Sequence, residues 1–520
     1  MTRRTALFSR RNWPVLLLAI MALIGGAFAQ TPGGAAGPAT QPVSIPLSGR
    51  STQNGSVTAA ETPVPGTTSS VDTLNPTIQI QGAYRGSTSG FSHRPFSGKL
   101  SLREAMQRGL EYNLGAIGFS QALHQAHGQA QVARSALLPN LIGDLAETVQ
   151  QTNLRALGVR FRSPIPGFTF PTIVGPFNYF DLRARWTQAL VDLTAWNNYK
   201  SAGETLRANQ WSVQDARDLV VMAVGGSYLQ VIAAQARVHS ARAQLDTANA
   251  LYQQALQQRQ VGVLAQVDVD RSQVQALTQQ QRVVSLENDL AKQKIDLARI
   301  IGLPPNDQYQ ISDDVPFSAT ALPSLEAALR QAFAQRSDLK AAGAQVRAAQ
   351  RALAAAHAER LPSLSLNSDY GVIGTNPAQS HGTFSVTGTL RFPIWEGGRT
   401  EGNVEQAQAA LAQRQAEYED IQLQVESDVR KAYLDLQAAA SQVEVAQKNL
   451  QVTKETLDLT RQRVDAGVAD SVELVQSQEF VATAELDYIN SVFAHNLAKL
   501  SLARAMGRTA EDLTKSLQVP

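Results

Sequence analysis

Two periodicities divide the chain. Phe180, Leu182, Ala184 and Trp186 alternate one for one with Asp181, Arg183, Arg185 and Thr187. The same period returns where Phe384, Val386, Gly388, Leu390 and Phe392 alternate with Ser385, Thr387, Thr389 and Arg391, and where Leu364, Leu366, Tyr370 and Val372 alternate with Ser365, Asn367 and Asp369. A period of two predicts short strands with one apolar and one polar face. The stretch from Leu141 to about Leu154 is a weaker fourth candidate. Elsewhere the punctuation of the chain stops. No proline lies between Pro176 and Pro304 or between Pro393 and Pro520, and after Gly402 only Gly467 and Gly507 remain. Stretches without breakers and rich in Ala, Gln, Leu, Glu and Arg predict helices. A helix from about Asn403 to Arg463 would run roughly 90 Å at 1.5 Å per residue. Its apolar positions Val429, Tyr433, Leu436, Ala440, Val443, Leu450, Leu457 and Val464 step by four and three, as in a coiled coil, with Gln447, Lys454 and Arg461 breaking the series. Val224, Tyr228, Val231, Val238, Leu245, Tyr252 and Leu256 keep the matching register earlier in the chain.

The pattern occurs twice. Shifted by 223 residues, Ser101-Leu102 meets Ser324-Leu325 and Leu138-Pro139 meets Leu361-Pro362. Shifted by 205, Tyr228-Leu229 meets Tyr433-Leu434, Gly262-Val263 meets Gly467-Val468 and Leu297-Ala298-Arg299 meets Leu502-Ala503-Arg504. One register holding from residue 228 to 302 predicts two tandem copies of one unit, each a helix, two strands and a helical hairpin. The first copy is placed at 99–303, a connector at 304–323, the second copy at 324–510 and a tail at 511–520.

The N-terminus adds an address. Arg3, Arg4, Arg10 and Arg11 precede an apolar run from Val15 to Ile24 and a small-x-small site at Ala27-Phe28-Ala29. This predicts a cleaved export signal over 1–29, and the run is shorter than the ~20 residues a spanning helix needs. No other stretch is expected to cross a membrane as a helix, so any spanning must use strands. Residues 30–98, rich in Gly, Pro, Ser and Thr, are expected to be a disordered linker.

Composition removes several function classes. The net charge is +2, and the four N-terminal arginines account for more than all of it, so nothing favours a nucleic-acid partner. The absence of cysteine excludes thiolate metal sites, cysteine nucleophiles and acylation at cysteine. His124 and His127 share a helix face without a third ligand, and no P-loop, nucleophile elbow or dinucleotide fingerprint is present. No enzyme, metal or cofactor is predicted.

An exported chain with two-faced strands fits a transmembrane barrel, with Phe180, Leu182, Trp186, Phe384, Val386, Leu390 and Phe392 facing lipid. An antiparallel sheet with one wet face gives the same alternation. Tyr179, Trp186, Trp196, Phe392 and Trp395 near strand ends favour the barrel, as interfacial aromatics do. Four strands cannot enclose a channel, whereas three copies would supply twelve.

The order of elements resembles the TolC-like outer-membrane factors of efflux and type I secretion, over residues 99 to 510. The specific matches are Leu390-Arg-Phe-Pro-Ile-Trp-Glu-Gly-Gly-Arg399 with Val404 and Ala407, Ser101-Leu-Arg-Glu-Ala105 with Asn113, Leu138-Pro139, and Arg463-Val-Asp-Ala-Gly-Val468 with Val472-Glu473-Leu474. Ala189-Leu-Val-Asp-Leu-Thr194 departs from it by lacking the paired glycines. The resemblance implies a mixed fold: a membrane β-barrel of twelve strands, four per protomer, continuous with a long α-helical coiled-coil barrel in the periplasm. It implies a homotrimer working with a periplasmic adaptor and an inner-membrane transporter. Val261, Gly262 and Val263, with Ala466, Gly467 and Val468, sit where each heptad pattern halts; they turn the hairpins and, by the resemblance, contact the adaptor. Asp470 is expected to cap the return helix. Asp268 and Glu473, each six residues past a tip glycine, would form carboxylate rings at the closed end; alternatively each is a solvated acid at a helix N-terminus. The family's latch positions are Gln476, Ala469 and Val464 here, which implies a different latch. A periplasmic trimeric coiled-coil scaffold without a pore is the alternative.

Overall fold

The computed structural model of the chain describes residues 55–64, 73–88, 98–156, 158, 171–304, 309–313, 317, 323–466, 468, 469 and 471–507. The predicted signal over 1–29, the tail 511–520, Gly467 and Asp470 lie outside them. In chain order the elements are β1 (Val57–Val64), β2 (Thr73–Ile80), a 3-10 turn (Gly82–Arg85), β3 (Lys99–Leu100), α1 (Leu102–Tyr112), α2 (Leu114–Ser135), β4 (Asn140–Asn153), β5 (Ile173–Val191), α3 (Leu193–Gln260), α4 (Gln266–Ile301), β6 (Gln310–Ile311), α5 (Leu325–Gln335), α6 (Ser337–Ala358), β7 (Ser363–Gly374), β8 (His381–Arg391), α7 (Arg399–Asp465) and α8 (Ser471–Ala505). Two helices, two strands, a long helix and a shorter return helix thus occur in the same order twice.

Helix starts follow the sequence. The side chains of Ser101, Asn113, Asp192 and Ser324 accept from Glu104, Gly115, Ala195 and Ala327 backbone N–H groups at 3.2, 2.9, 2.8 and 3.3 Å. α4 stops at Gly302, whose φ of +75° a side chain would resist. α3 has 68 residues and α7 has 67, each about 100 Å at 1.5 Å per residue. Of the predicted heptad positions, Val429, Leu436 and Val443 are buried, and Tyr433, Ala440, Leu450, Leu457 and Val464 are half-buried. The breaker Lys454 faces a partner on the next helix: its Nζ lies 3.0 Å from Glu485.

β4, with 14 residues, has the length read from the sequence, whereas β5 runs for 19, from Ile173 to Val191, because its pairing with β4 and β7 extends beyond the alternating stretch.

Residues 30–98 do not form a featureless linker throughout. β1 and β2 pair antiparallel, Val57 with Ile80 through Val64 with Thr73. Tyr84 (1% exposed) and Val57 (5%) enter the same core as Val220, Val224, Leu297, Ile301, Leu497 and Leu500. A few anchoring side chains fasten a segment whose average composition is polar. The 304–323 connector is likewise structured in part: β6 pairs parallel with β3, and Tyr228 on α3 donates to the Leu100 carbonyl (2.9 Å) and to Asp313 (3.0 Å).

The centre of α3 bears on the expectation that no later stretch crosses a membrane as a helix. By length and composition α3 is apolar enough to cross a membrane, yet its apolar window is 72% buried within the chain. Val220 to Leu229 is buried on every side, as in the core helix of a large protein. A second core joins Val425, Val429, Leu436 and Ala439 of α7 to Ala328 and Ala332 of α5 and Ala494, Ala498 and Leu502 of α8.

Charge is buried beside these cores. Arg504 on α8 pairs with Asp215 on α3. Arg336 joins Asp338 at 2.6 Å and Asp428 at 2.9 Å. Near them Asp218 is desolvated, and burial pushes its carboxyl up to about 6, with Arg504 opposing and Asp215 and Asp338 adding to the rise. The folded chain therefore binds more protons than the unfolded one between about pH 4 and 6, and stability falls as pH rises through that window. Asp218→Asn removes this burden. It is expected to raise unfolding stability by about 1–3 kcal/mol at pH 7, with the gain vanishing near pH 4. Denaturant titrations at the two pH values check this, and an equal gain at both would contradict it.

Candidate functional site

The four long strands form one antiparallel sheet in the order β4-β5-β7-β8. Its register sorts the side chains. Leu141, Trp186, Ser368 and Val386 lie in one row, Gly143, Ala184, Tyr370 and Phe384 in the next, and Leu145, Leu182 and Val372 beyond them. The rows between hold Ile142, Arg185, Asp369 and Ser385, then Asp144, Arg183 and Thr383, then Asp181 and His381. Period two places the first set on one face and the second on the other. The polar face is cross-linked. Arg183 Nε lies 2.7 Å from Asp181 and its Nη1 3.2 Å from Asp369, Arg185 lies 3.2 Å from Asp144, and the Ser385 hydroxyl donates to Asp369.

Among the described residues, nothing covers the apolar face. Phe384 is 77% exposed, Leu145 68% and Val386 64%, with Leu182, Leu390 and Phe392 also exposed and Phe180 and Trp186 half-buried. The seven residues predicted to face lipid fall on this face, except Phe392, which follows the end of β8. Among the described residues, nothing pairs with the outer edges of β4 and β8.

The strand-to-helix junctions differ between the two halves. Between β8 and α7, Gly397 and Gly398 adopt φ of +64° and +86°, which accounts for the paired glycines of the motif. Between β5 and α3, which lacks them, the register slips between Ala189 and Val191 and Asp192 caps the helix.

At the first hairpin tip Gly262 turns the chain with φ +78°. Its N–H donates to the Arg259 carbonyl and that of Val263 to the Gln258 carbonyl, both at 2.9 Å. Val261 and Val263 are 74% and 76% exposed. At the second tip Ala466 and Val468 are exposed, and Val468 N–H donates to the Arg463 carbonyl at 2.8 Å. Asp268 and Glu473 both lie in the first turn of a return helix. Each has an arginine: Arg271 is 3.2 Å from Asp268, and Arg463 in the last turn of α7 pairs with Glu473 across the hairpin. The acid-to-arginine spacing of three made the first pair legible in sequence; the second requires the hairpin to close.

Two further surfaces escaped the periodicity argument. Leu423, Leu434, Val445, Val452 and Leu459 are all exposed on α7. Their spacings of 11, 11, 7 and 7 residues put them within roughly a 40° arc at 100° per residue. Val267, Val274, Leu277, Val284 and Ile295 form a broader exposed stripe on α4. The stripe on α7 is a second apolar seam beside its heptad series. His124 and His127 are exposed on α2, and among the described residues no group of three His, Asp or Glu gathers as metal ligands would.

The chain was compared with known families, proteins and structures. A family model described as outer membrane efflux protein matches residues 119–303 and 328–508. The pyoverdine export outer membrane protein OpmQ of Pseudomonas aeruginosa is 25% identical over 310 residues, 58% of this chain and 63% of that protein, so the chain spans less than two thirds of that relative. Outer membrane protein TolC of Vibrio cholerae is 23% identical over 336 residues, 63% of this chain and 76% of that protein. Among solved structures, the outer membrane protein VceC of Vibrio cholerae superposes with a TM-score of 0.67 at 18% identity, covering 78% of this chain and 96% of that one. The fold, a β domain carried on long helices, is the TolC-like one. Two-faced sheet, paired helical hairpins and matched residues agree, and the chain belongs to the outer membrane efflux protein family.

Proposed function

We propose that this chain is the outer-membrane exit duct of a tripartite efflux or type I secretion system. It is a passive channel without catalysis or cofactor, joined to a periplasmic adaptor and an inner-membrane pump that supplies the energy. The observation that carries the reading is the exposed apolar sheet face backed by a charged, cross-linked one. Lipid is the solvent that rewards the first, and a water-filled lumen suits the second. Both edges of the sheet are open, and four strands cannot surround a pore. Three copies joined edge to edge make a closed barrel of twelve. The stripes on α4 and α7 support the same assembly, since coiled-coil spacing on an exposed face seeks another helix. Each half of the chain, 99–303 and 324–510, contributes two strands and one hairpin, and a signal over 1–29 takes the protein out of the cytoplasm.

At the far end, the exposed valines of the tips are the adaptor contact, and Asp268 and Glu473 form rings of three in the trimer. Their arginines make these rings alternations of charge rather than bare carboxylates. A pore-free periplasmic scaffold would leave the apolar face against water, which costs about 25 cal/mol per Å².

Three outcomes follow. Val386→Arg is expected to cost assembly in lipid vesicles about 2–4 kcal/mol, and its neighbour Thr387→Arg on the opposite face far less; heat-resistant oligomer on gels reports the difference, and equal effects would count against the lipid face. Leu434→Glu with Val452→Glu is expected to leave single subunits by light scattering. In planar bilayers at low salt, Glu473→Gln is expected to lower the cation-to-anion permeability ratio by about twofold or more, because Arg463 loses its partner. Unchanged conductance and selectivity would remove Glu473 from the gate.

A further inference from the structure

Two glycines sit side by side in the most buried turn of α3. Gly225 and Gly226 interrupt the run from Val220 to Leu229, where each costs a helix about 1 kcal/mol relative to alanine. Their surroundings account for them. A Cβ on Gly226 would stand 2.1 Å from Ile78 Cδ1, 3.3 Å from Cγ1 and 3.4 Å from Cβ. A Cβ on Gly225 would stand 3.2 Å from Leu500 on α8. The glycines open a notch, one side of which takes α8 and the other β2.

The segment 73–88, which carries β2, is fastened at its far end by a second glycine of the same kind. Tyr84 lies where a Cβ on Gly115 would be, 2.4 Å from its Cδ1. The Tyr84 carbonyl accepts from the side chain of Asn113 at 2.8 Å, and that side chain also donates to the Ile300 carbonyl at 3.3 Å. Backbone bonds run both ways beyond it: Leu114 N–H to the Gly86 carbonyl at 3.0 Å and Thr88 N–H to the Tyr112 carbonyl at 2.8 Å. The segment thus touches α2, α3 and α4 of the first half and packs against α8 of the second. It lies wholly outside the residues matched by the family model, which begin at 119.

We propose that Gly225-Gly226 is a docking notch for Ile78 of β2, and that residues 55–64 and 73–88 are a built-in clasp fastening α3 of the first half to α8 of the second within one chain. The proposal does not depend on the duct reading; a protein without a pore would carry the same clasp.

The full-length protein in detergent tests it, and the absence of native cysteine makes the chemistry clean. The separation of 3.4 Å between Ile78 Cβ and a Cβ built on Gly226 is close to the ~3.5–4.5 Å of a disulfide. Ile78→Cys with Gly226→Cys is expected to oxidise readily to one intrachain bond, seen as a linked peptide by mass spectrometry with the chain still monomeric on denaturing gels. Failure to form the bond, or a bond between two chains, overturns the proposal. In a second arm, Gly226→Leu fills the notch. Trypsin cleavage after Arg85 is expected to speed up about tenfold or more, since cleavage follows the released population. Adding Ile78→Ala is expected to bring it back within about threefold of the natural rate. Cleavage at the natural rate in Gly226→Leu, or no recovery in the double variant, overturns the notch. Should Gly226→Leu fail to fold, the disulfide arm decides alone.

Discussion

Four strands that are apolar on one side and charged on the other find no cover for the apolar side among the described residues. The helices leave the sheet at its ends and cover neither face, so Phe384, Leu145 and Val386 stay open. Every larger feature answers to that imbalance. The charged rows satisfy one another through Arg183, Asp181 and Asp369. The two bare edges and the second apolar stripe on α7 call for further copies. A membrane on one side and water on the other reconcile all three.

Below the sheet the helices solve a different problem. A seam about 100 Å long, built only from Leu, Val and Ala, has many nearly equal registers. Polar groups set along it remove the degeneracy. Lys454, at a heptad position but 53% exposed, reaches from the edge of the seam to Glu485, which also accepts from Gln244 at 3.1 Å. Glu479 accepts from Gln275 at 2.7 Å and Gln279 at 2.9 Å across the two halves. Gln279, 2% exposed, is the one of these groups that a slipped register would leave without water in place of Glu479.

Period and punctuation made much of this legible. Alternation placed the residues of the sheet on their two faces, and the absence of proline gave the helices nearly their observed lengths. What stayed hidden was whatever depends on few residues or on distant ones. Val57, Ile78 and Tyr84 secure a segment that reads as linker because averages dilute three anchors among thirty polar neighbours. The partner of Glu473 lies ten residues upstream across a reversal of direction, where no helical spacing points to it. At the first junction, a slipped register and an Asp cap perform the turn for which glycines served as the signal.

That last difference has a mechanical side. Residues 397 and 398 turn the chain from β8 into α7 with two positive φ values, and the Thr400 hydroxyl donates to Glu396 at 2.7 Å within that turn, whereas α3 leaves β5 through a slipped register and the Asp192 cap. Load passing between strands and helices crosses two unlike corners, one set by left-handed glycine backbone and one by a side-chain cap.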